Sequence, residues 1–339
     1  MAWQSTTALP SLEPDRKPIV TLPAAQTLSR PALLQLGAAL RDSGYAFTTI
    51  STPSHRRVNG RPGNETAMDL RGVFGWSRPF GERLLGAQWL AWMREAGMLR
   101  PHDGLWKSAL RASTLDGRLY FHSAFPTREK DAVFFGPDTY RYVQMLHAEM
   151  ANLPPAARAI DIGCGAGPGA LTIAAAMPQA EVWAVDINPQ ALELTALNAQ
   201  LAGAANVHIA HSDLLQGVAG QFDLIVSNPP FMLDSGQRTY CHGGGLLGEG
   251  LSLDIVDAAL ARLAPGGTLL LYTCVAIIGG ADPFRDQVAA MLDPARYHWR
   301  YREIDPDVFG GELGDPAHKN TDRIAAIALC ATLNNPEPA

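Results

Sequence analysis

The sequence predicts an α/β protein in which a doubly wound sheet follows a smaller α+β module. Three observations carry this. From residue 158 onward, short apolar runs alternate with helical segments, the mark of a parallel sheet covered on both faces. A glycine-rich turn, Asp161-Ile162-Gly163-Cys164-Gly165-Ala166-Gly167-Pro168-Gly169, joins the first run to the first of those helices. Before residue 150 the pattern differs, with helices first and a hairpin signal after them. The 339 residues, 47% hydrophobic and 18% charged, suffice for a sizeable core in two domains, which excludes disorder, coiled coil and collagen.

Residues 1–28 contain Pro10, Pro14, Pro18 and Pro23 with little periodicity and read as a loosely held arm. Residues 29–150 form the N-terminal module in this reading, and residues 151–334 the sheet domain. Ser29 caps and Pro31 opens a short amphipathic helix over Ala32–Leu40. Residues 51–66, turn-rich and basic at His55, Arg56, Arg57 and Arg61, read as an exposed loop. A helix over Gly81–Ala96 shows an apolar face of Leu84, Leu85, Trp89, Trp92 and Met93. Asp116-Gly117 marks a hairpin between Leu105–Leu115 and Arg118–Phe125. Helices followed by a hairpin give a winged-helix-like order. Asn152-Leu153-Pro154-Pro155 links the halves. The strands beyond it read Ala159–Ile162, Val182–Val185, Val207–Ala210, Leu224–Ser227, Thr268–Thr273, Tyr297–Arg302 and Arg323–Cys330. Asn188, Pro189 and Gly203 cap, open and end the helix after the second of these.

The N-terminus shows no basic flank before an apolar core, and the uncharged stretch Leu263–Ala281 is broken by Pro265-Gly266-Gly267 and Gly279-Gly280. Both point to a cytoplasmic protein with no membrane partner. Cys164, Cys241, Cys274 and Cys330 are scattered without a C-x-x-C, which suggests neither a disulfide framework nor a metal site. Charge divides sharply. Residues 1–150 hold 18 Lys and Arg against 13 Asp and Glu, whereas residues 151–339 hold 9 against 20; the net of −6 hides +5 and −11.

The glycines of the turn let the backbone bend sharply and approach a ligand, and the helix N-terminus behind them offers unpaired N–H groups. Asp186 ends the next strand, where a carboxylate can accept both hydroxyl protons of a ribose. Asp213 follows the third strand. Gly165-x-Gly167-x-x-Ala170 also satisfies the loosened dinucleotide fingerprint, so the glycines alone leave an NAD-dependent oxidoreductase open. Three acids, Asp161, Asp186 and Asp213, at three consecutive strand ends suit a positively charged sulfonium nucleoside better than a pyrophosphate.

On these residues, the stretch from about 158 to 331 resembles the class I S-adenosylmethionine-dependent methyltransferases. The resemblance implies a seven-stranded Rossmann-like methyltransferase sheet whose last strand runs antiparallel. It implies that Asp161 and the loop Gly163, Cys164, Gly165, Gly167 cradle the methionine part of S-adenosyl-L-methionine. Asp186, with Ile187 beside it, would hold the ribose, and Asp213 would lie beside the adenine.

The fourth strand runs into Asn228-Pro229-Pro230-Phe231. In a doubly wound sheet the carboxyl end of a strand faces the ligand crevice. Each proline pushes its predecessor into an extended conformation and contributes a carbonyl without an N–H. The result is a stiff rim of acceptors. A planar NH2 can donate one hydrogen bond to the Asn228 side-chain oxygen and another to the Pro229 carbonyl, while Phe231 stacks on the flat acceptor. Holding both protons to one side frees the nitrogen lone pair for a methyl group, so rate comes from alignment and from acceptors that strengthen as charge develops. No metal is needed. The tetrapeptide resembles that of N-methyltransferases acting on glutamine amides or nucleobase amino groups. Phe134-Phe135-Gly136-Pro137-Asp138-Thr139 resembles the segment before the catalytic domain in protein-glutamine methyltransferases, which adds Thr139 to the cofactor-side candidates. The N-terminal half departs from that group in lacking an obvious all-helical bundle.

Two loops are candidates for choosing the substrate. Residues 233–250 carry Arg238, Tyr240, Cys241 and His242, and residues 304–322 carry Asp305, Asp307, Glu312 and Asp315 with Phe309. The expectation is therefore an N-methyltransferase with an N-terminal recognition module. Its partner would be a protein or nucleic acid presenting a planar NH2, with a small metabolite or an oxidoreductase reaction as the alternatives.

Overall fold

A computed structural model describes residues 29–127, 129–232 and 243–336. The expected arm 1–28 lies outside them. Seven strands form the central sheet: β5 (Arg158–Ile162), β6 (Glu181–Asp186), β7 (Val207–His211), β8 (Phe222–Ser227), β9 (Leu263–Ile277), β10 (Tyr297–Asp305) and β11 (Arg323–Leu333). Their order is β10-β11-β9-β8-β5-β6-β7. All seven coincide with expected strands, each extended by a residue or more. β5 through β9 pair in parallel, whereas the last strand, β11, runs antiparallel to both β9 and β10.

Period-two alternation divides the side chains of this sheet between two apolar layers. Leu224 and Val226 of β8 face one core, together with Leu270 and Tyr272 of β9; Ile225, Leu269 and Leu271 face the other. The first layer is covered by α4 (Pro137–Met150), α5 (Pro168–Ala176) and α6 (Pro189–Ala202), and the second by α7 (Gly250–Leu260) and α8 (Pro283–Met291). In α6, Asn188 accepts the Gln190 N–H at 3.0 Å and Gly203 ends the helix at φ 68°, as its sequence signals require.

The N-terminal module shares the first layer, with Leu36, Phe74 and Phe121 in one continuous core with Ala170 and Leu194. It begins with α1 (Arg30–Asp42), where Ser29 occupies the cap position without a side-chain hydrogen bond. Residues 51–66 are only in part the exposed loop expected: Arg56, Arg57 and Arg61 are exposed and the chain turns from Gly60, but residues 52–59 are helical. Ser51 accepts the Ser54 N–H and opens α2 (Thr52–Asn59), and His55 is buried among the rings of Trp76 and Phe125. The helix expected over Gly81–Ala96 is split by Gly86, whose φ of 17° and ψ of 160° no helix accepts, leaving a short turn and α3 (Ala87–Glu95).

The hairpin expected at Asp116-Gly117 is present, with φ of 50° and 71° at its two turn residues, but its first arm is only β3 (Leu110–Leu115), paired with β4 (Arg118–Ser123). Leu105–Ser108 is a separate strand, β2, which pairs with β1 (Leu99–His102) around a second turn at Asp103-Gly104. The winged-helix-like order thus carries two hairpins. Helix α4 lies on the N-terminal side of the link at residues 152–155, yet it packs on β9 and α5. Among the described residues no helix is long and apolar enough to cross a membrane.

Candidate active site

Strand order reverses between β5 and β8, so their carboxyl ends open on the crevice where a doubly wound sheet accepts ligands. The register sets Ile162 beside Ser227, and the Ser227 hydroxyl donates to the Ile162 carbonyl at 2.8 Å. The glycine loop and Asn228 therefore leave the sheet side by side.

Gly163, Gly165 and Gly167 adopt φ of 70°, 56° and 86°, the left-handed region that side-chain-bearing residues avoid. The Gly163 and Cys164 N–H groups donate to the Val185 carbonyl at 2.8 and 2.9 Å, which presses the loop against β6. The Cys164 thiol points inward, 3.5 Å from the Thr195 hydroxyl, and burial pushes its pKa up, so only its backbone belongs to the crevice.

Asp186 accepts from the Gly165 N–H at 3.0 Å and from the Asn188 N–H at 2.9 Å. Burial raises its pKa, while these N–H groups pull it back down. Beside it Ile187 leaves half of its surface in solvent (50% exposed), an open apolar face next to a carboxylate. The Ser212 N–H donates to the Asp186 carbonyl at 3.2 Å and so sets the exposed Asp213 one strand along. A carboxylate, an apolar plate and an outer acid thus succeed one another along the strand ends.

Asp161 lies beneath the loop instead of facing the crevice. It is 1% exposed, with Oδ1 accepting from the Tyr142 hydroxyl at 3.0 Å and Oδ2 from the Ala170 N–H at 2.9 Å. Desolvation raises its pKa to about 7, against the pull of those two donors. Thr139 is buried, and its hydroxyl accepts the Gly136 N–H at 3.2 Å, closing the first turn of α4. One residue earlier, Asp138 accepts from the Tyr272 hydroxyl at 2.8 Å and from Arg141, which also pairs with Asp305 at 3.0 Å. Burial raises the Asp138 pKa.

Asn228 follows β8 with its Oδ1 buried and accepting no hydrogen bond from any described residue. Such an orphaned acceptor costs the fold about 1–3 kcal/mol unless a donor arrives from outside it. Pro229 is buried behind it, Pro230 and Phe231 are half-buried, and the Phe231 ring meets that of Phe309 with centroids 5.4 Å apart. Phe309 belongs to the connection between β10 and β11, so that loop does reach the tetrapeptide. Arg238, Tyr240, Cys241 and His242 fall outside the described residues. After them the chain returns at Gly243, whose N–H donates to the Met232 carbonyl at 2.8 Å. Among the described residues no group of three or more His, Cys, Asp or Glu could hold a metal ion.

Two contributors, Tyr142 and Asn198, were not among the residues expected from sequence, and Gly169 of the expected turn has a role of its own. Tyr142 holds Asp161. Gly169 leaves room for both, since a Cβ there would stand 2.5 Å from the Tyr142 hydroxyl and 2.6 Å from Asp161 Oδ2. Asn198, buried in α6, donates to the Phe121 carbonyl at 3.0 Å and the Ala166 carbonyl at 2.9 Å, and accepts the Phe121 N–H at 2.8 Å. An amide inside a helix, where its propensity is poor, is the signal that marks Asn198.

These residues fit a nucleoside carrying a cationic amino-acid moiety: positive-φ glycines at the crevice, Asp186 and Ile187 at its rim, and an unsatisfied acceptor on the facing strand end. Residues 139–274 match the methyltransferase small domain. The chain is 32% identical over 228 residues to a release factor glutamine methyltransferase of Deinococcus radiodurans, covering 63% of this chain and 77% of that protein. It is 34% identical over 148 residues to the release factor glutamine methyltransferase of Escherichia coli, covering 40% of this chain and 52% of that protein, about half its length. A crystal structure of an M. jannaschii tRNA m1G37 methyltransferase aligns with a TM-score of 0.45 at 17% identity, covering 67% of this chain and 58% of that one.

Proposed function

The chain belongs to the family of the release factor glutamine methyltransferases and is an S-adenosylmethionine-dependent N-methyltransferase, and from that premise we propose that its acceptor is the side-chain amide of a glutamine in a protein. The observation that carries this is the orphaned Oδ1 of Asn228. A buried acceptor at the carboxyl end of the strand beside the glycine loop calls for a donor supplied by the acceptor molecule, and a carboxamide NH2 supplies two.

In this reading Asp186 takes the ribose hydroxyls, Ile187 the adenine face and Asp213 the adenine amino group. The loop from Gly163 to Gly167 lies against the methionine part, supported from beneath by Asp161 and Tyr142, and Thr139 steadies the first turn of α4 at its side. S-adenosylmethionine supplies an electrophilic methyl group. Asn228 Oδ1 and the Pro229 carbonyl hold the two amide protons, turning the lone pair away from them. Pro229 and Pro230 keep these acceptors stiff, so little reorganisation would be needed as positive charge develops on nitrogen. The nitrogen–methyl bond would form as the sulfur–methyl bond breaks, S-adenosylhomocysteine would leave, and one of the two held protons would pass to water. Phe231 lies along the flat carboxamide. Residues 29–150 act as the recognition module, with α4 as their contribution to the cofactor side.

The test is transfer of a labelled methyl group from S-adenosylmethionine to an extract of cells lacking the enzyme, with protease and RNase digestion of the products. Label that is released by protease and recovered as N5-methylglutamine supports the reading. Label that follows RNase, or that appears on no glutamine, overturns it.

A further inference from the structure

The connection from β10 to β11 is anchored at its entrance and its exit, and it delivers one aromatic ring to the site. Asp305 pairs with Arg141 at 3.0 Å, and the Val308 N–H donates to the Ile324 carbonyl at 2.8 Å. Immediately after Val308, Phe309 adopts φ 55°. That left-handed conformation costs a bulky residue about 1–2 kcal/mol, and such strain persists where surrounding structure imposes it. Here it turns the ring onto Phe231, with centroids 5.4 Å apart and planes at 59°. Phe309 also lines a mixed recess with Phe231, Met232 and Ile324 and with Glu312 and His318, so its ring forms one wall of the space beside the tetrapeptide.

We infer that Phe309 is the specificity-determining residue of the acceptor site, narrowing the space beside Phe231 against a flat ring. A nucleobase stacking on Phe231 needs a parallel face clear over a whole ring. The Phe309 ring, 5.4 Å from Phe231 and tilted 59° to it, takes up part of the space beside that face. A carboxamide on a two-methylene stem needs only a strip along the ring edge. This rests on the glutamine reading and adds to it the element that rejects bases.

The test compares wild type with Phe309→Gly and Phe309→Leu. Glycine removes the ring and relieves the left-handed strain, so folding is retained, which the thermal midpoint verifies. Leucine keeps bulk at the same place. The probes are N-acetylglutamine methylamide and adenosine, each offered with labelled S-adenosylmethionine. Where turnover is too slow to read, each probe is instead titrated by NMR onto protein loaded with S-adenosylhomocysteine. Wild type is expected to prefer the glutamine probe by about a hundredfold or more, Phe309→Gly by less than about tenfold, and Phe309→Leu to stay within about threefold of wild type. Cofactor affinity should stay within about twofold throughout. An unchanged preference in Phe309→Gly overturns the role of Phe309 and leaves the glutamine reading standing. A wild type that prefers adenosine, or that neither methylates nor binds the glutamine probe, overturns both.

Discussion

The hydroxyl of Tyr142, on the helix that precedes the sheet, stands 3.0 Å from Oδ1 of Asp161 at the end of the first parallel strand. Both groups are fully buried, and the other oxygen of that carboxyl accepts the Ala170 N–H at 2.9 Å. The first turn of the glycine loop is therefore tied to α4 through a carboxyl group that water does not reach.

That burial makes folding pH-dependent in a definite direction. Desolvation raises the Asp161 pKa from 3.8 to about 7, so the folded state holds a proton that the unfolded state has already released. Stability from this group is complete below about pH 4 and lost as pH rises through about 7. Burial raises Asp138 and Asp186 as well, so they slope the same way. Asp161→Asn should flatten the free enzyme's stability between those limits by up to about 1.4 kcal/mol per pH unit. Urea midpoints measured across the range decide it, and parallel curves for variant and wild type would refute it.

Two glycines of one loop should respond to alanine for different reasons. At Gly163 a Cβ meets nothing within 4 Å, and the cost is the left-handed φ of 70° alone, about 1–2 kcal/mol. At Gly169 the backbone is helical, and the Cβ would press on the Tyr142 hydroxyl and Asp161 Oδ2 at 2.5 and 2.6 Å. Separating those two groups exposes a buried polar pair to an imperfect fit, at about 2–4 kcal/mol. Denaturant unfolding should therefore rank Gly169→Ala below Gly163→Ala, and the reverse order would show that the Tyr142–Asp161 pair yields easily.

Why the sheet was more legible than the module follows from what each encodes locally. Runs such as Leu224-Ile225-Val226 are buried on both faces, so they announce themselves without any tertiary information. Asn188, Pro189 and Gly203 likewise act within one helix. His55, by contrast, sits in a stretch of mean polarity high enough to pass for a loop, and only Trp76 and Phe125, from distant segments, make it a buried face. Asp103-Gly104 carries the same Asp-Gly pair as Asp116-Gly117, but only the pairing of Leu99–His102 with Leu105–Ser108 makes it a hairpin of its own. The tetrapeptide was visible as chemistry, whereas Phe309 could be placed against it only by the β10–β11 pairing.

Asn228→Ala separates activity from stability. Removing an acceptor that no described donor satisfies relieves a buried polar group, which offsets the small void left behind. The thermal midpoint should stay within about 3 °C of wild type or rise. Methyl transfer should fall about 10²–10³-fold, the usual effect of removing one aligned group that strengthens in the transition state. Affinity for S-adenosylmethionine, followed by calorimetry, should change by less than about threefold. A loss of stability equal to that of a core substitution would mean that Asn228 is held for the fold.

Asn198 presents the opposite case, a polar residue held for the fold whose loss should reach the cofactor. Alanine there strips partners from the Phe121 N–H, the Phe121 carbonyl and the Ala166 carbonyl, all three in the buried seam between β4, α6 and the glycine loop. Unsatisfied groups of this kind cost about 1–3 kcal/mol each, and partial relaxation should leave a net loss of about 3 kcal/mol. Ala166 lies inside the loop, so S-adenosylmethionine affinity should weaken with it, by about tenfold if about half of that energy is spent on loop order. Linkage then gives a sharp expectation. Cofactor at about a hundred times its own dissociation constant restores about 2.7 kcal/mol of apparent stability to variant and wild type alike. If the variant is stabilised at the wild-type cofactor concentration as fully as wild type is, the loop does not depend on Asn198, and the seam is structural only.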